Sequence, residues 1–203
     1  MSTAAAWRQH PALRAIPSHT WAVPEPVLPV PEELARVLPS GGLRPGNTIA
    51  VCDSVILLLC LAAPASSQGA WCAAIGFSTL GMVAAEELGI DLERFAVIPE
   101  PGLQWMTVTA ALMDATSLVL LKPPSTASAH DLRRITARAR ERKVVLLVSG
   151  ECEGADLRLR VSETQWRGLG QGHGHLRQRC LSISVEGRRM PRPKTTSLLV
   201  GGP

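Results

Sequence analysis

The residues that follow the first predicted strand stand where a nucleotide-hydrolysing protein carries its phosphate-binding chemistry. The stretch GGLRPGNTIAVCDSVILLLCLAA, residues 41–63, predicts a turn, a buried strand and then a helix. An active phosphate loop at such a junction needs glycine amides around the phosphates, a lysine that reaches them and a hydroxyl on magnesium. The chain has CDSVIL at residues 52–57, without glycine or lysine. Asp53 and Ser54 fit a helix N-cap better than a catalytic site, and Val55, Ile56 and Leu57 are expected to be buried where a nucleotide would lie.

The end of the fourth predicted strand lacks the acid that would hold magnesium. The segment SLVLLKPP, residues 117–124, has Lys122 in that place, and a positive charge repels the metal. Lys122 and Arg44 are the nearby basic residues with which a divergent NTPase could reach the strand tips. We therefore expect no catalytic residue and no nucleotide or other cofactor, and a divergent NTPase stays as the enzymatic alternative.

Cysteine and histidine residues form no recognisable metal or nucleophile pattern. The five cysteines include no CxxC pair and have irregular spacing, which favours buried free thiols over disulfides or zinc. His173 and His175 have no nearby third ligand, and there is no GxSxG motif. The sequence predicts neither a metal site nor an enzyme.

Basic residues are concentrated in the second part of the chain. Residues 1–128 contain six Lys or Arg against ten Asp or Glu, a net charge of −4, and residues 129–203 contain fifteen against seven, a net charge of +8. Such a basic half suits an acidic partner or nucleic acid, and a tryptophan within it could anchor an interface. The candidate partner or DNA surface therefore consists of Trp166, Arg167, Arg177 and Arg179. The basic segment 130–143 is instead predicted to be the solvated face of an amphipathic helix.

Short apolar runs that alternate with helical segments predict an α/β fold whose mostly parallel sheet is flanked by helices. The predicted strands are Thr48–Cys52, Trp71–Ile75, Phe95–Ile98, Leu118–Leu121 and Val144–Val148. The predicted helices between them are Ser54–Ala63, Leu80–Leu88, Leu103–Ala115 and Ala129–Arg142. After residue 150 the alternating pattern predicts antiparallel strands, and the stretch GLGQGHG, residues 168–174, is interpreted as a hairpin loop rather than a phosphate cradle.

The chain is predicted to contain one domain and a proline-rich arm. Residues 1–40 form the extended arm, with short helices near Trp7–Ala15 and Pro31–Leu38. Residues 41–203 form the domain, with a parallel α/β part at 41–150 and a β-rich basic part at 151–203. The longest apolar run, 55–63, is too short to cross a bilayer, and the first residues lack an export-signal pattern. We expect a cytoplasmic protein without a membrane partner.

Several segments, taken in order, resemble the RecA core. LPSGGLRPGNTIAV, residues 38–51, resembles the approach to its first strand, and WCAAIGFSTLGMVAAEELGIDLERFAVIPEPG, residues 71–102, resembles a later strand–helix–strand unit. The resemblance covers residues 37–200 and implies a RecA-like core. The places of RecA's phosphate loop, water-activating acid and magnesium-linked acid hold CDSVILLLC, IGFSTLG and LKPP, so no RecA catalytic residue carries over.

A closer resemblance is to the ImuA-type accessory proteins of actinobacterial mutasomes. It rests on AAEELGIDLERFAVIPEPG, LVLLKPP, RRITARARERKVVLLVSG and RGLGQGHGHLRQR, which occur here in that order. It implies a non-catalytic adaptor, induced with DNA damage in the SOS response, for error-prone translesion synthesis. The implied partners are an ImuB-type Y-family polymerase homologue and, indirectly, an error-prone DnaE-type polymerase, with direct DNA contact left open and no small-molecule substrate. A regulatory module similar to the SulA-type division inhibitors is the non-enzymatic alternative.

Overall fold

The computed structural model describes residues 27–52, 54–167, 178–188 and 190–201. The predicted helix near Trp7–Ala15, the predicted loop at 168–174 and the candidate residue Arg177 lie outside these ranges. In the described part the helices are α1 Glu32–Ala35, α2 Val55–Ser67, α3 Met82–Glu87, α4 Trp105–Met113 and α5 Ala129–Arg142. The strands are β1 Thr48–Cys52, β2 Cys72–Ile75, β3 Phe95–Ile98, β4 Leu118–Leu121, β5 Val145–Ser149, β6 Leu157–Arg167, β7 Gln178–Gly187 and β8 Lys194–Val200.

The strands form one mixed sheet in the order β3-β2-β4-β5-β1-β6-β7-β8. All pairs from β3 to β6 are parallel, whereas β6–β7 and β7–β8 are antiparallel. The predicted α/β fold, mostly parallel with an antiparallel C-terminal part, is therefore confirmed. Because β6 pairs with β1, the antiparallel strands continue the parallel sheet.

Helices cover the parallel strands on both faces. On one face, Leu34 of α1, Leu57 of α2 and Ala85 of α3 pack in a core with Ile49 and Val51 of β1. On the other face, the cores of α4 and α5 pack against the alternate strand residues, among them Ala50, Ile75 and Leu121. Burial on both faces explains why these strands read as continuous apolar runs in the sequence.

Helix α2 extends beyond Ala63, where its sequence-predicted range ended. Pro64 lies inside the helix, which continues to Ser67. Proline removes one helical hydrogen bond, but Ala63, Ala65 and Ser66 around it are all buried. Nine of the thirteen residues of α2 are buried, and this packing offsets the lost hydrogen bond. None of the helices in the described ranges could span a membrane.

Helix α5 has the solvated basic face that its sequence predicted. Ile135 and Ala139 are buried against the sheet, while four of the five arginines of the helix form ion pairs with acids of neighbouring segments. Ser128 begins the helix with a capping box, since its hydroxyl accepts from the Asp131 N–H and the Asp131 carboxylate accepts from the Ser128 N–H. The Ser128 hydroxyl also donates to the Asp131 carboxylate at 2.7 Å. This hydrogen bond, followed by the one from the Ser128 N–H, lowers the pKa of Asp131. Lys143 ends the helix in the left-handed conformation.

Candidate functional site

The junction after β1 is capped in the way that its sequence predicted. The Ser54 hydroxyl accepts a hydrogen bond of 3.1 Å from the Leu57 N–H, so Ser54 is the N-cap of α2. This hydroxyl therefore satisfies one of the backbone donors that a helix start leaves without an internal partner. Asp53 lies outside the described residues.

Closure of the core over this junction is only partial. Leu57 is fully buried, but Val55 is 40% exposed and Ile56 is half-buried. The prediction that all three side chains are buried was therefore wrong for Val55. The reason is position, because Val55 is the first residue of α2 at the edge of the sheet and Leu57 is the first that faces the core.

An ion cluster occupies the carboxyl edge of the sheet beside the end of β1. The Glu151 carboxylate lies 2.7 Å from Arg160 Nη2 and 2.9 Å from Arg158 Nε, and the Cys52 thiol donates to it at 3.4 Å. Arg158 and Arg160 belong to β6, and Arg160 is the strand partner of Cys52. Glu151 carries no signal in the sequence, whereas the alternation LRLR at 157–160 could have revealed two arginines on one face of a strand. The charges beside the end of β1 are therefore paired with one another.

Lys122 lies in a cleft of about 530 Å³ at the carboxyl ends of β2, β3 and β4, together with Gly76, Glu100 and Trp105. Its side chain is exposed, and it forms no ion pair with the residues that the structure describes. Gly76 has a φ of +83°, and a Cβ at this position would collide with the Lys122 carbonyl oxygen. The backbone at Lys122 therefore requires glycine at residue 76.

Arg44 is not at the carboxyl edge, contrary to the sequence-based expectation that placed it near the strand tips. It precedes β1 and lines a different cavity at the amino edge, together with Asn47 and Asp156. Strand β1 separates it from the carboxyl edge by five residues, or about 16 Å of extended chain. Of the two basic residues considered for a divergent NTPase, only Lys122 is at the strand tips.

The strands β6, β7 and β8 form a ribbon that extends beyond the carboxyl edge. Cys52, the last residue of β1, pairs with Arg160, and β6 continues for seven further residues to Arg167. The register of β6 against β7 shifts by one residue between Val161 and Glu163. A one-residue shift reverses which face a side chain occupies. The bulge therefore places Thr164 and Trp166 on the face that Val161 shares with the α2 core.

Trp166 and Arg179 form the contact that defines this ribbon surface. They are direct partners across β6 and β7, and the guanidinium carbon of Arg179 lies 4.7 Å from the centroid of the Trp166 ring. Arg179 pairs in turn with Val200 of β8, which is buried. Trp166 is 52% exposed, and Arg179 Nε is shielded from solvent and has no hydrogen-bond acceptor among the described residues. Val200, Arg179 and Trp166 thus lie side by side across the three strands, from a buried side chain at Val200 to an exposed ring at Trp166.

The structure brings together two of the four candidate binding residues. Trp166 and Arg179 are in contact, whereas Arg167 lies on β6 opposite Gln178 and its side chain is outside the described part. Arg177 is also outside it. We name the exposed contact of Trp166 and Arg179 the ribbon patch.

The five cysteines all lie in the described ranges and form no disulfide, as their spacing predicted. Cys52, Cys60, Cys72 and Cys152 are buried and Cys180 is half-buried. Burial raises the pKa of Cys60 and of Cys72 to about 11, although a hydrogen bond with Ser66 opposes the rise at Cys72. Burial also raises the pKa of Cys152. These three thiols are therefore protonated at neutral pH, which disfavours nucleophilic chemistry.

Comparison with known proteins places this mixed α/β chain in a family. Residues 36–154 match the family model described as the MT3502 N-terminal domain. This range is more than half of the chain, which therefore belongs to the MT3502 N-terminal domain family. The uncharacterized protein Rv3395c of Mycobacterium tuberculosis is 35% identical over 136 residues, which cover 64% of this chain and 65% of that protein. The match thus spans just under two thirds of the relative's length. The ribbon from residue 157 onward follows the range matched by the family model.

Proposed function

We propose that this protein is a non-catalytic, RecA-like, ImuA-type adaptor in DNA-damage-induced error-prone translesion synthesis. It binds an ImuB-type Y-family polymerase homologue and through it supports an error-prone DnaE-type polymerase. The identity of these partners comes from the sequence resemblance described above. The relationship to a mycobacterial protein is consistent with the actinobacterial range of that resemblance.

The observation that carries the non-catalytic part is the chemistry at the ends of β1 and β4. Ser54 caps α2 where a phosphate loop would present its amides, and Lys122 stands where a magnesium-holding acid would be needed. Phosphoryl transfer depends almost entirely on positioned cations and backbone donors around the phosphates. The junction at residues 52–57 has no glycine and no lysine, so it lacks the glycine-rich backbone and the cation of a phosphate loop.

A RecA-like core is supported by the order and packing of the elements. The resembling segments 38–51 and 71–102 correspond to the approach to β1 and to the unit that runs from β2 through α3 to β3. These elements belong to a sheet covered on both faces by helices, followed by antiparallel strands. Both features agree with the architecture that the resemblance implies.

The ribbon patch is the surface that we assign to the polymerase-like partner. Tryptophan and arginine are the residues that most often dominate the binding energy of protein interfaces. Here the two are held together on a ribbon that projects from the sheet, with Val200 and the core behind them. A half-exposed tryptophan ring backed by a packed core offers a preformed anchor at little entropic cost.

The function is tested by capture from cells exposed to a DNA-damaging agent. The tagged full-length chain is expected to recover the ImuB-type homologue, and a variant with Trp166→Ala and Arg179→Ala is expected to recover much less. Trp71→Ala is the matched control, because Trp71 is also 52% exposed but lies immediately before β2. Point variants are preferable to truncation after residue 150, since β6 pairs with β1 and its removal would expose the core. Absence of the homologue from the wild-type capture would refute the proposal.

Two alternatives give different outcomes in simple assays. A divergent NTPase would bind Mg-ATP tightly and hydrolyse it, alone or with single-stranded DNA, and Lys122→Ala would abolish this. A SulA-type regulator would make cells filament when overproduced without the polymerase-like partner. The adaptor proposal predicts no ATP binding by titration calorimetry and no such filamentation.

A further inference from the structure

A cavity of about 720 Å³ lies at the amino edge of the sheet, at the opposite end of the strands from the ribbon patch. Four chain segments form its walls: the loop that leads into β1, the C-terminal end of α5, the segment that enters β6 and the turn after β7. Three of them contribute one arginine each to the lining, namely Arg44, Arg140 and Arg188. Asp156 is the acid in this lining, so the cavity carries a net positive charge.

The arginines retain most of their capacity to bind an anion. Arg44 and Arg188 form no ion pair or hydrogen bond through their side chains with any residue in the described ranges. Arg140 reaches Asp156 only at 3.5 Å, and its side chain is 60% exposed. Two guanidinium groups without a partner in the described part of the chain and one weakly paired group therefore line the same cavity.

The backbone beneath these arginines is held in place by Asp156. Its carboxylate accepts from the Thr48 N–H at 3.0 Å, its own N–H donates to the Thr48 carbonyl at 2.8 Å, and its carbonyl accepts from the Arg188 N–H at 3.3 Å. Gly46 packs closely on Arg140, since a Cβ there would lie 3.4 Å from the Arg140 Cα. The cavity therefore has a fixed frame from which the flexible guanidinium groups extend.

We propose that this cavity binds phosphate groups of a nucleic-acid backbone. A guanidinium group binds a phosphate through two parallel hydrogen bonds and remains charged at every physiological pH. Three such groups around one large cavity suit a run of phosphates better than a single anion. Contacts to phosphate carry no sequence information, so binding through these arginines is expected to be independent of base sequence. The site is distant from the ribbon patch and does not depend on the proposed adaptor function.

The test measures binding of fluorescein-labelled oligothymidylate to the full-length protein by anisotropy at several salt concentrations. Three single-strand phosphate contacts give a slope of log K against log salt of about −2. Arg44→Gln combined with Arg188→Gln removes two contacts and is expected to reduce the slope to about −0.7. Both side chains lack partners in the described ranges, so the variant is expected to fold, which circular dichroism verifies.

The matched control loses the same charge elsewhere. Arg94→Gln combined with Arg134→Gln alters two exposed arginines, one before the edge strand β3 and one over the groove between α4 and α5. It is expected to keep the wild-type slope. Unchanged binding by the Arg44 and Arg188 variant, an equal loss in both double variants, or binding of polyglutamate without binding of DNA would each overturn the proposal.

Discussion

Arg179 stacks on Trp166 with its guanidinium carbon 4.7 Å from the ring centroid, directly across the antiparallel pair β6–β7. This contact couples the two candidate binding residues into one surface. It depends on the bulge between Val161 and Glu163, because the shift in register aligns residue 166 with residue 179. The first prediction concerns the energy of this contact.

A double-mutant cycle with Trp166→Leu and Arg179→Met is expected to give a coupling energy of about 0.5–1 kcal/mol. The reason is that the guanidinium charge interacts with the face of the indole ring, and either substitution removes that interaction. Urea unfolding of the wild type, both single variants and the double variant measures it. Additive effects within about 0.3 kcal/mol would indicate no stabilising contact.

Asp156→Ala is expected to lower the free energy of unfolding by about 1–3 kcal/mol. Thr48 is fully buried, and its N–H would lose the carboxylate acceptor at 3.0 Å. Glu153→Ala is the matched control, because its ion pair with Arg133 joins two exposed side chains. Such pairs contribute only about 0–1 kcal/mol. An equal effect of the two variants in urea unfolding would contradict a structural role for the Asp156–Thr48 bond.

Gly76→Ala is expected to destabilise the protein more than Gly102→Ala. Both glycines have a positive φ, but a Cβ at Gly102 meets open space whereas one at Gly76 collides with the Lys122 carbonyl oxygen. Backbone strain at Gly102 costs about 1–2 kcal/mol, and the collision at Gly76 adds about 1–3 kcal/mol. Thermal unfolding of both variants measures the difference. Equal losses would show that the backbone at Lys122 is not held against Gly76.

The contribution of Cys60 and Cys72 to the free energy of unfolding is expected to be constant up to about pH 8 and to fall between about pH 9 and 11. The Cys60 and Cys72 thiols have a pKa of about 11 in the folded protein, against 9.0 when unperturbed. Between these values the unfolded chain loses thiol protons that the folded protein keeps, so rising pH favours unfolding. The chain contains no tyrosine, so no phenol titrates in this range. A variant with Cys60→Ala and Cys72→Ala is expected to show a shallower decline in urea unfolding. If the double variant shows the same decline in the free energy of unfolding, groups other than these two thiols cause it.

The parallel part of the fold could be predicted from the sequence because its strands are buried on both faces. Each of the five strands predicted between residues 48 and 149 corresponds to one observed strand, and Ser54 and Ser128 mark two helix starts. The end of α2 could not be predicted, because tertiary packing around Pro64 overrides the preference of proline to terminate a helix.

The sites were less accessible to prediction because they depend on register and on distant segments. The contact between Trp166 and Arg179 requires a bulge whose position has no sequence signal here. Arg44, Arg140 and Arg188 meet in one cavity although long stretches of chain separate them. The sequence shows that these residues are arginines, but only the strand order of the folded sheet shows that they line the same cavity.

The most direct test of the adaptor account is titration of the purified full-length chain with the purified ImuB-type homologue. The account predicts saturable binding that Trp166→Ala weakens at least tenfold, because a tryptophan at the centre of an interface contributes about 2 kcal/mol or more. Trp71→Ala is expected to leave the affinity unchanged. Absence of binding by the wild-type chain, or equal affinity for the Trp166→Ala variant, would contradict the account.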